Sequence, residues 1–522
     1  MYSPGPGSRA PDNPPSVGAN ANPPPLALLP HELRTFLALP GTNVLLVRGP
    51  AGSGKSTLCA DLLLQLGGTR VLVAPRGDTL DTRLPAGIAS GSAGPIHFVP
   101  LESRHSSDGS ALSEGHVLAA GPFGADRSET PGRPRWVEQV LDLIPSNEPS
   151  FVVVDHWTPR SPPSDDSKLG PSSPGLEAEK EVQGLRTALR GSDTHLILVI
   201  ESGKIDPPLS SMDGAIETGF ETVSKAQVRT LTLRKLRGVG IGAKQVPYTL
   251  ADGRFRCIEP VAAGFQPPLG PPDLAPSERS GYIWPGSEAF ASVFGWLQYG
   301  ALTSLELGEG VPDYVPLQAT FPLVAHTLLT GGRVVWVPLP TSLPEVLVTS
   351  LSRWTAPEVL SSGLRILSAG GDEDHPLLGR MLLPLTRAAA RVDPSPGTAA
   401  RVAPFFAEGL KFLQGTPAGK PALYVLSLDG LRAVAAVTGV HYDPATFPLI
   451  VARYAQIPGF HGFAVRPSND PLAAPLQGGA QTLIRAEAKL GRVFLTGTRP
   501  ETVPHALSWE GEDYRFSLLP MR

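Results

Sequence analysis

Residues 43–57 read NVLLVRGPAGSGKST. Asn43–Arg48 is an apolar run of strand length, and Lys55–Leu66 has the pattern of a helix. Between them Gly49-Pro50-Ala51-Gly52-Ser53-Gly54 forms a loop, and with Lys55 and Ser56 it satisfies GxxxxGK[ST] in full. Each residue type has a mechanical reason. The glycines let the backbone curl so that its N–H groups face phosphate oxygens. The helix start adds partial positive charge. Lys55 is expected at the β- and γ-phosphates, the Ser56 hydroxyl on Mg²⁺, and Thr57 nearer the α-phosphate. A plain glycine-rich turn explains the glycines but not the lysine and hydroxyl behind them.

Further along the chain, the same grammar recurs. Arg70–Ala74 and Ile96–Val99 read as strands, Trp136–Ile144 as an amphipathic helix, and Phe151–Val154 as a buried strand ending at Asp155. That aspartate stands where a Mg²⁺-orienting carboxylate is needed, although an Asp after Val-Val-Val is often only a polar strand end. A charged helix, Leu176–Leu189, leads to the strand His195–Ile200. Strand, crossover helix and strand in this order predict an α/β domain with a mostly parallel sheet. Ligands of such sheets collect beyond the carboxyl ends of the strands. Asp78 and Glu201 fall there and are the candidates for aligning an attacking water; either is equally readable as a solvated strand end. Three extended pieces, Ala215–Thr222, Val228–Arg234 and Gln245–Leu250, make a hairpin-rich edge that closes at Phe255–Ile258. The basic run Arg234-Lys235-Leu236-Arg237-Gly238 lies on that edge. By itself it is only a positive surface; in a ring of subunits, Lys235 and Arg237 could reach a neighbour's γ-phosphate.

At 522 residues the chain exceeds one hydrophobic core. Residues 1–28 are Pro-, Gly- and Asn-rich and predict a disordered tail. Residues 29–260 form the first domain, 261–282 a proline-rich linker, and 283–522 a second domain. In the second half Leu302–Leu307, Arg333–Val337, Leu423–Ser427 and His461–Val465 repeat the order of the first. Its loop, however, is Leu307-Gly-Glu-Gly-Val-Pro-Asp-Tyr314, with two acids and no lysine. Like charge repels phosphate, so this copy reads as degenerate. Asp429, after the strand Leu423–Ser427, is either a remnant of a metal position or a polar cap. A net charge of −4 argues against a long nucleic-acid track but leaves room for a local patch, with Arg70, Arg76 and Arg83 as its candidates. Two cysteines, Cys59 and Cys257, exclude a disulfide scaffold. No apolar stretch is long enough to span a bilayer and no secretory leader is apparent, so a cytoplasmic protein is expected.

The strings GPAGSGKST (49–57), FVVVD (151–155) and LTLRKLRGVG (231–240) followed by VPYTLADGRFRCIEP (246–260) together resemble the RecA-like ATPases of the KaiC and RadA kind. The resemblance implies two RecA-like P-loop NTPase-type domains, the second degenerate. It implies ATP and Mg²⁺ as ligands, and a homo-oligomer in which Lys235 and Arg237 act across a subunit interface. Where that family carries two adjacent glutamates, this chain has Gly77 and Asp78, which implies slow hydrolysis. The two-half layout is similar to the archaeal gas-vesicle regulatory ATPases, which implies a regulatory protein partner. The alternatives are a DNA-acting ATPase of recombination or repair and a non-hydrolytic nucleotide-binding scaffold.

Overall fold

The computed structural model describes residues 29–75, 96–101, 135–144, 150–158, 174–189, 191, 193–202, 208–260, 270–277, 279–339, 344–367, 378–382, 403–438, 447–470, 473–510 and 515–521. They build two α/β domains, each around a mostly parallel sheet flanked by helices.

The first sheet contains β1 (Asn43–Gly49), β2 (Thr69–Pro75), β3 (Ile96–Leu101), β4 (Ser150–Val154), β5 (Thr194–Glu201), β6 (Gly214–Val223), β7 (Ala226–Leu236), β8 (Gln245–Thr249) and β9 (Arg256–Cys257). Their order is β3-β2-β4-β5-β1-β6-β7-β8-β9. From β3 to β6 neighbours run parallel; from β6 to β9 they run antiparallel. The central strands are apolar on both faces because both are covered. Leu45 and Val47 pack with Leu58 and Leu62 of the helix Lys55–Gln65. Val44 and Leu46, on the other face, pack with Val137 and Val140 of the helix Arg135–Leu143 and with Val182 and Leu185 of the helix Pro174–Ala188. Each such side chain contributes about 1.5–3 kcal/mol on burial.

After a two-stranded antiparallel sheet of β10 (Tyr282–Ile283) and β11 (Leu297–Gln298), joined through the helix Glu288–Phe294, the second large sheet is assembled from β12 (Ala301–Leu307), β13 (Arg333–Val337), β14 (Leu364–Ile366), β15 (Ala422–Ser427), β16 (Phe460–Pro467), β17 (Thr482–Lys489), β18 (Arg492–Arg499), β19 (His505–Glu510) and β20 (Arg515–Pro520). Its order, β14-β13-β15-β16-β12-β17-β18-β19-β20, repeats the first strand for strand. The register agrees as well. Ser202 N donates to Gly49 O in the first sheet, and Ser468 N to Leu307 O in the second. His195 and His461 then occupy equivalent places, opposite Asn43 and Ala301. One matching position is inverted in charge. Arg48 of β1 pairs with Glu217 of β6 at 3.3 Å, whereas Glu306 of β12 pairs with Arg485 of β17 at 3.0 Å.

His461 is buried between the Gln298 carbonyl, 2.8 Å from Nδ1, and the Thr303 hydroxyl, 3.1 Å from Nε2. Burial pushes its pKa down to about 4, and burial lowers that of His195 too. An unfolded histidine titrates near 6.5, so the unfolded chain takes up the proton first as pH falls. The stability held above pH 6.5 is therefore lost between about 6.5 and 4. Urea unfolding at pH 7.5 and 5.5 should differ by about 1 kcal/mol through His461 alone, and His461→Gln should remove that increment. An unchanged pH dependence in the variant would refute the assignment.

The two domains share a small core. Val223 and Val228 of the β6–β7 hairpin and Ile258 bury themselves with Phe494, Ala506, Leu519 and Met521. The hairpin closes through Ser224 and Lys225, with φ of 46° and 67°, the left-handed pair that a two-residue turn needs to match strand twist. Among the described residues no helix is long and apolar enough to cross a membrane.

Candidate functional site

At the carboxyl end of β1 the chain turns through Pro50–Gly54 into the helix Lys55–Gln65. Gly52 and Gly54 take φ of +73° and +88°, values open to glycine and strained for other residues. Gly49 has a different reason. A Cβ there would stand 2.1 Å from Thr218 Oγ1 and 2.5 Å from the Thr218 carbonyl oxygen, so only glycine lets β1 lie this close to β6.

The loop is fastened from beneath. Ser53, fully buried, donates to or accepts from Thr218 Oγ1 at 2.7 Å, and its hydroxyl lies 2.8 Å from Pro50 O. The Tyr248 hydroxyl donates to the Ser53 carbonyl. On the helix behind the loop, buried Asp61 pairs with Arg254 and accepts from the Phe255 amide, tying the helix to the start of β9. Burial pushes the Cys59 thiol well up, so it stays protonated as a core residue.

Lys55 carries its ammonium to the loop itself, donating to Gly49 O at 2.9 Å and to Pro50 O at 2.8 Å. One residue on, Ser56 Oγ donates to Asp155 Oδ2 at 2.9 Å. These groups are 99 residues apart in sequence and meet because β4 ends beside the turn into the helix. Asp155 is almost fully buried; its second oxygen accepts from the His156 amide at 3.0 Å. Thr57 sits half-buried in the first helical turn. Glu201, the last residue of β5, is the ladder partner of Gly49 and so stands at the edge of the loop. Asp78 lies outside the described residues, as do Arg76 and Arg83.

Lys235 and Arg237 are not brought to this loop. They lie beside Ala215 and Asp213, at the levels of Leu46 and Val44, roughly 10 Å and 16 Å along β1 from Gly49 at 3.3 Å per residue. Lys235 donates to Leu209 O at 2.7 Å and Met212 O at 2.6 Å; Arg237 reaches Asp213 Oδ1 at 2.8 Å and is otherwise exposed. Arg70 corrects one expectation, that of a local basic patch. Its side chain is buried and donates to Leu63 O at 2.9 Å, so it cannot belong to a surface patch for nucleic acid.

In the second domain Gly308–Asp313 precedes the helix Tyr314–Leu329, placing Tyr314 where the first domain has Lys55. Counting along the ladders from His195 and His461, the counterpart of Asp155 is Ser427 and not Asp429. Asp429 lies in the first turn of the helix Leu428–Thr438 and pairs with Arg432 at 3.0 Å, a polar helix start. Here the ends of β12, β16 and β17 are filled by a closed ionic group, Glu306 between Arg466 at 2.7 Å and Arg485 at 3.0 Å.

The residues present suit a triphosphate with Mg²⁺. A loop whose Gly52 and Gly54 hold left-handed φ, one ammonium, and a hydroxyl paired with a buried carboxylate are the groups such a ligand requires. Among the described residues no three His, Cys, Asp or Glu cluster as a self-sufficient metal site. Of the two residues that fix the loop, Thr218 belongs to no motif and only its place on β6 points to it, while Tyr248 lies in the string 246–260, which assigns it no role.

No protein-family model matches the chain. Over 365 residues, 67% of this chain and 70% of its relative, it is 25% identical to Protein GvpD2 of Halobacterium salinarum.

Proposed function

We propose that the chain is an ATP-binding regulatory protein of RecA-like, P-loop type. Its first domain takes up the nucleotide and its second domain is a degenerate copy. The observation that carries this reading is the meeting of Ser56 and Asp155 at 2.9 Å behind a glycine loop that holds Lys55. A structural turn needs no such pair. The loop Gly49–Gly54 would cradle the phosphates through its amides, all but that of Pro50, which has no N–H; Lys55 would neutralise the terminal phosphates and Thr57 would serve nearer the α-phosphate. Ser56 and Asp155 would hold Mg²⁺, which supplies charge neutralisation on the phosphates. Glu201 and Asp78 are the groups assigned to orient water. With no paired glutamates, turnover is slow and suits a switch whose states are read by a protein partner. Lys235 and Arg237, distant from their own loop, serve a neighbouring copy in an oligomer. The likeness to GvpD2 supports a role in gas-vesicle gene regulation. Burial of Arg70 weighs against the DNA-acting alternative.

Titration with a fluorescent ATP analogue tests the reading. Lys55→Ala should weaken uptake on the order of a hundredfold, since two charge-assisted contacts are lost. Asp155→Asn should bind with an affinity that no longer responds to Mg²⁺. Phosphate release should fall to background in Lys55→Ala, and in Glu201→Gln or Asp78→Asn if that residue orients the water. No uptake by the parent protein would sink the proposal; uptake with equal background release throughout would leave only the scaffold reading.

A further inference from the structure

Three consecutive residues at the end of β8 touch both the phosphate loop and the second sheet. The Tyr248 hydroxyl donates to Ser53 O, and the δ-methyl groups of Leu250 occupy the space beside Gly54, where a Cβ would come within 2.7 Å. Between them, the Thr249 hydroxyl donates to the carbonyl of Pro520, the last residue of β20. A second path runs along β6. Thr218 abuts Gly49 and Ser53, and five residues further Val223 enters the core shared with Phe494 and Leu519.

At the hairpin tip the Ser224 amide donates to Glu487 Oε2 at 2.9 Å, and Lys489 pairs with Glu221 at 2.8 Å. Glu487 adjoins Arg485 at 3.7 Å, which binds Glu306, which binds Arg466. Gly308, in the loop that replaces the phosphate loop of the second domain, lies against Ala486 and Glu487. The hairpin therefore connects the phosphate loop of one copy to the equivalent loop of the other.

We propose that Tyr248 and Thr218 are positioning residues of the phosphate loop, and that the second domain sets their position through Pro520 and through Glu487 and Lys489 of β17. Nucleotide uptake and the packing of the second domain are then linked. The inference rests on the nucleotide reading above and assigns the degenerate domain a task within it. The carbonyl and amide of a trans peptide point opposite ways. Holding Ser53 O toward β8 turns the Gly54 amide away from β8. Burial raises the Tyr248 pKa, so its hydroxyl is a constant donor. Linkage is reciprocal: contacts that favour the loop's binding geometry are strengthened by the ligand by the same factor.

The test uses the full chain, a fluorescent ATP analogue with Mg²⁺, and amide exchange of residues 505–510 and 515–521. Tyr248→Phe removes only the hydroxyl, Thr249→Val the bond to Pro520 together with the one its hydroxyl accepts from the Ala251 amide, and Lys489→Ala an interface contact far from the loop. Each should weaken uptake roughly five- to twentyfold, within the usual range of coupling between sites. Saturating Mg-ATP should slow exchange at 515–521 in the parent and lose that effect in Tyr248→Phe, which a merely stabilising contact would not do. If the parent binds the analogue while Thr249→Val and Lys489→Ala bind equally well, and exchange at 515–521 ignores ATP, the linkage is overturned and the nucleotide site stands. Absence of uptake by the parent would instead remove the site and the linkage together. Should Tyr248→Phe misfold, the Lys489→Ala arm still decides.

Discussion

Gly49→Ala is expected to destabilise the first domain by about 2–4 kcal/mol and to abolish nucleotide uptake, an effect larger than that of any other loop glycine. The added methyl would stand 2.5 Å from the Thr218 carbonyl oxygen, a backbone atom, so no rotamer change relieves the clash. β1 and β6 are paired from Leu45–Gly214 to Arg48–Glu217, and opening one end strains the whole ladder. Gly52→Ala is the contrast. Its Cβ meets nothing within 4 Å, and only the left-handed φ costs about 1 kcal/mol. Denaturant unfolding of the two variants separates clash from strain. Thr218→Ala should not rescue Gly49→Ala, because the carbonyl remains; full rescue would show that the hydroxyl alone requires the glycine.

Glu306→Ala should cost about 3 kcal/mol, whereas Glu217→Ala should cost within about 1 kcal/mol. The two glutamates belong to equivalent sheet positions, yet their partners differ in burial. Arg466 is only 1% exposed and would be left charged in the core. Arg48 and Arg234, which flank Glu217, are 21% and 42% exposed and can turn to water. Replacing Glu306 by Ala together with Arg466 by Met should recover most of the loss, since an apolar pair needs no compensation. Equal destabilisation by the two single changes, measured by urea unfolding, would refute the distinction.

How far these features can be read from the chain depends on the range of the interaction. The run 43–57 specifies strand, loop and helix locally, and the apolar strands at 70–74, 151–154 and 195–200 announce a sheet covered on both faces. β17 escapes such reading: TLIRAEAK alternates charge with small residues, because one of its faces carries Arg485, Glu487 and Lys489 for ionic contacts. The helix Tyr314–Leu329 is buried on nearly every side and contains Pro322, so its periodicity is weak. In the proposed nucleotide site, Lys55, Ser56 and Asp155 are legible because the phosphate chemistry assigned to them would restrict their types and order. Thr218 and Tyr248 act by a hydroxyl placed under the loop, a task that many sequences could perform from many places. Asp429 takes the second of its two readings, a polar cap: it follows an apolar strand as Asp155 does, but lies in the first turn of the next helix.

The inverted pair at the hearts of the two sheets bears on how the chain avoids assembling wrongly. Two copies of one strand plan invite β1 to seek β17, or β12 to seek β6, while both halves are incompletely folded. Either exchange would set Arg48 against Arg485, or Glu306 against Glu217, in the middle of a sheet. Like charges facing one another there are unfavourable, so each half recognises its own strands by sign.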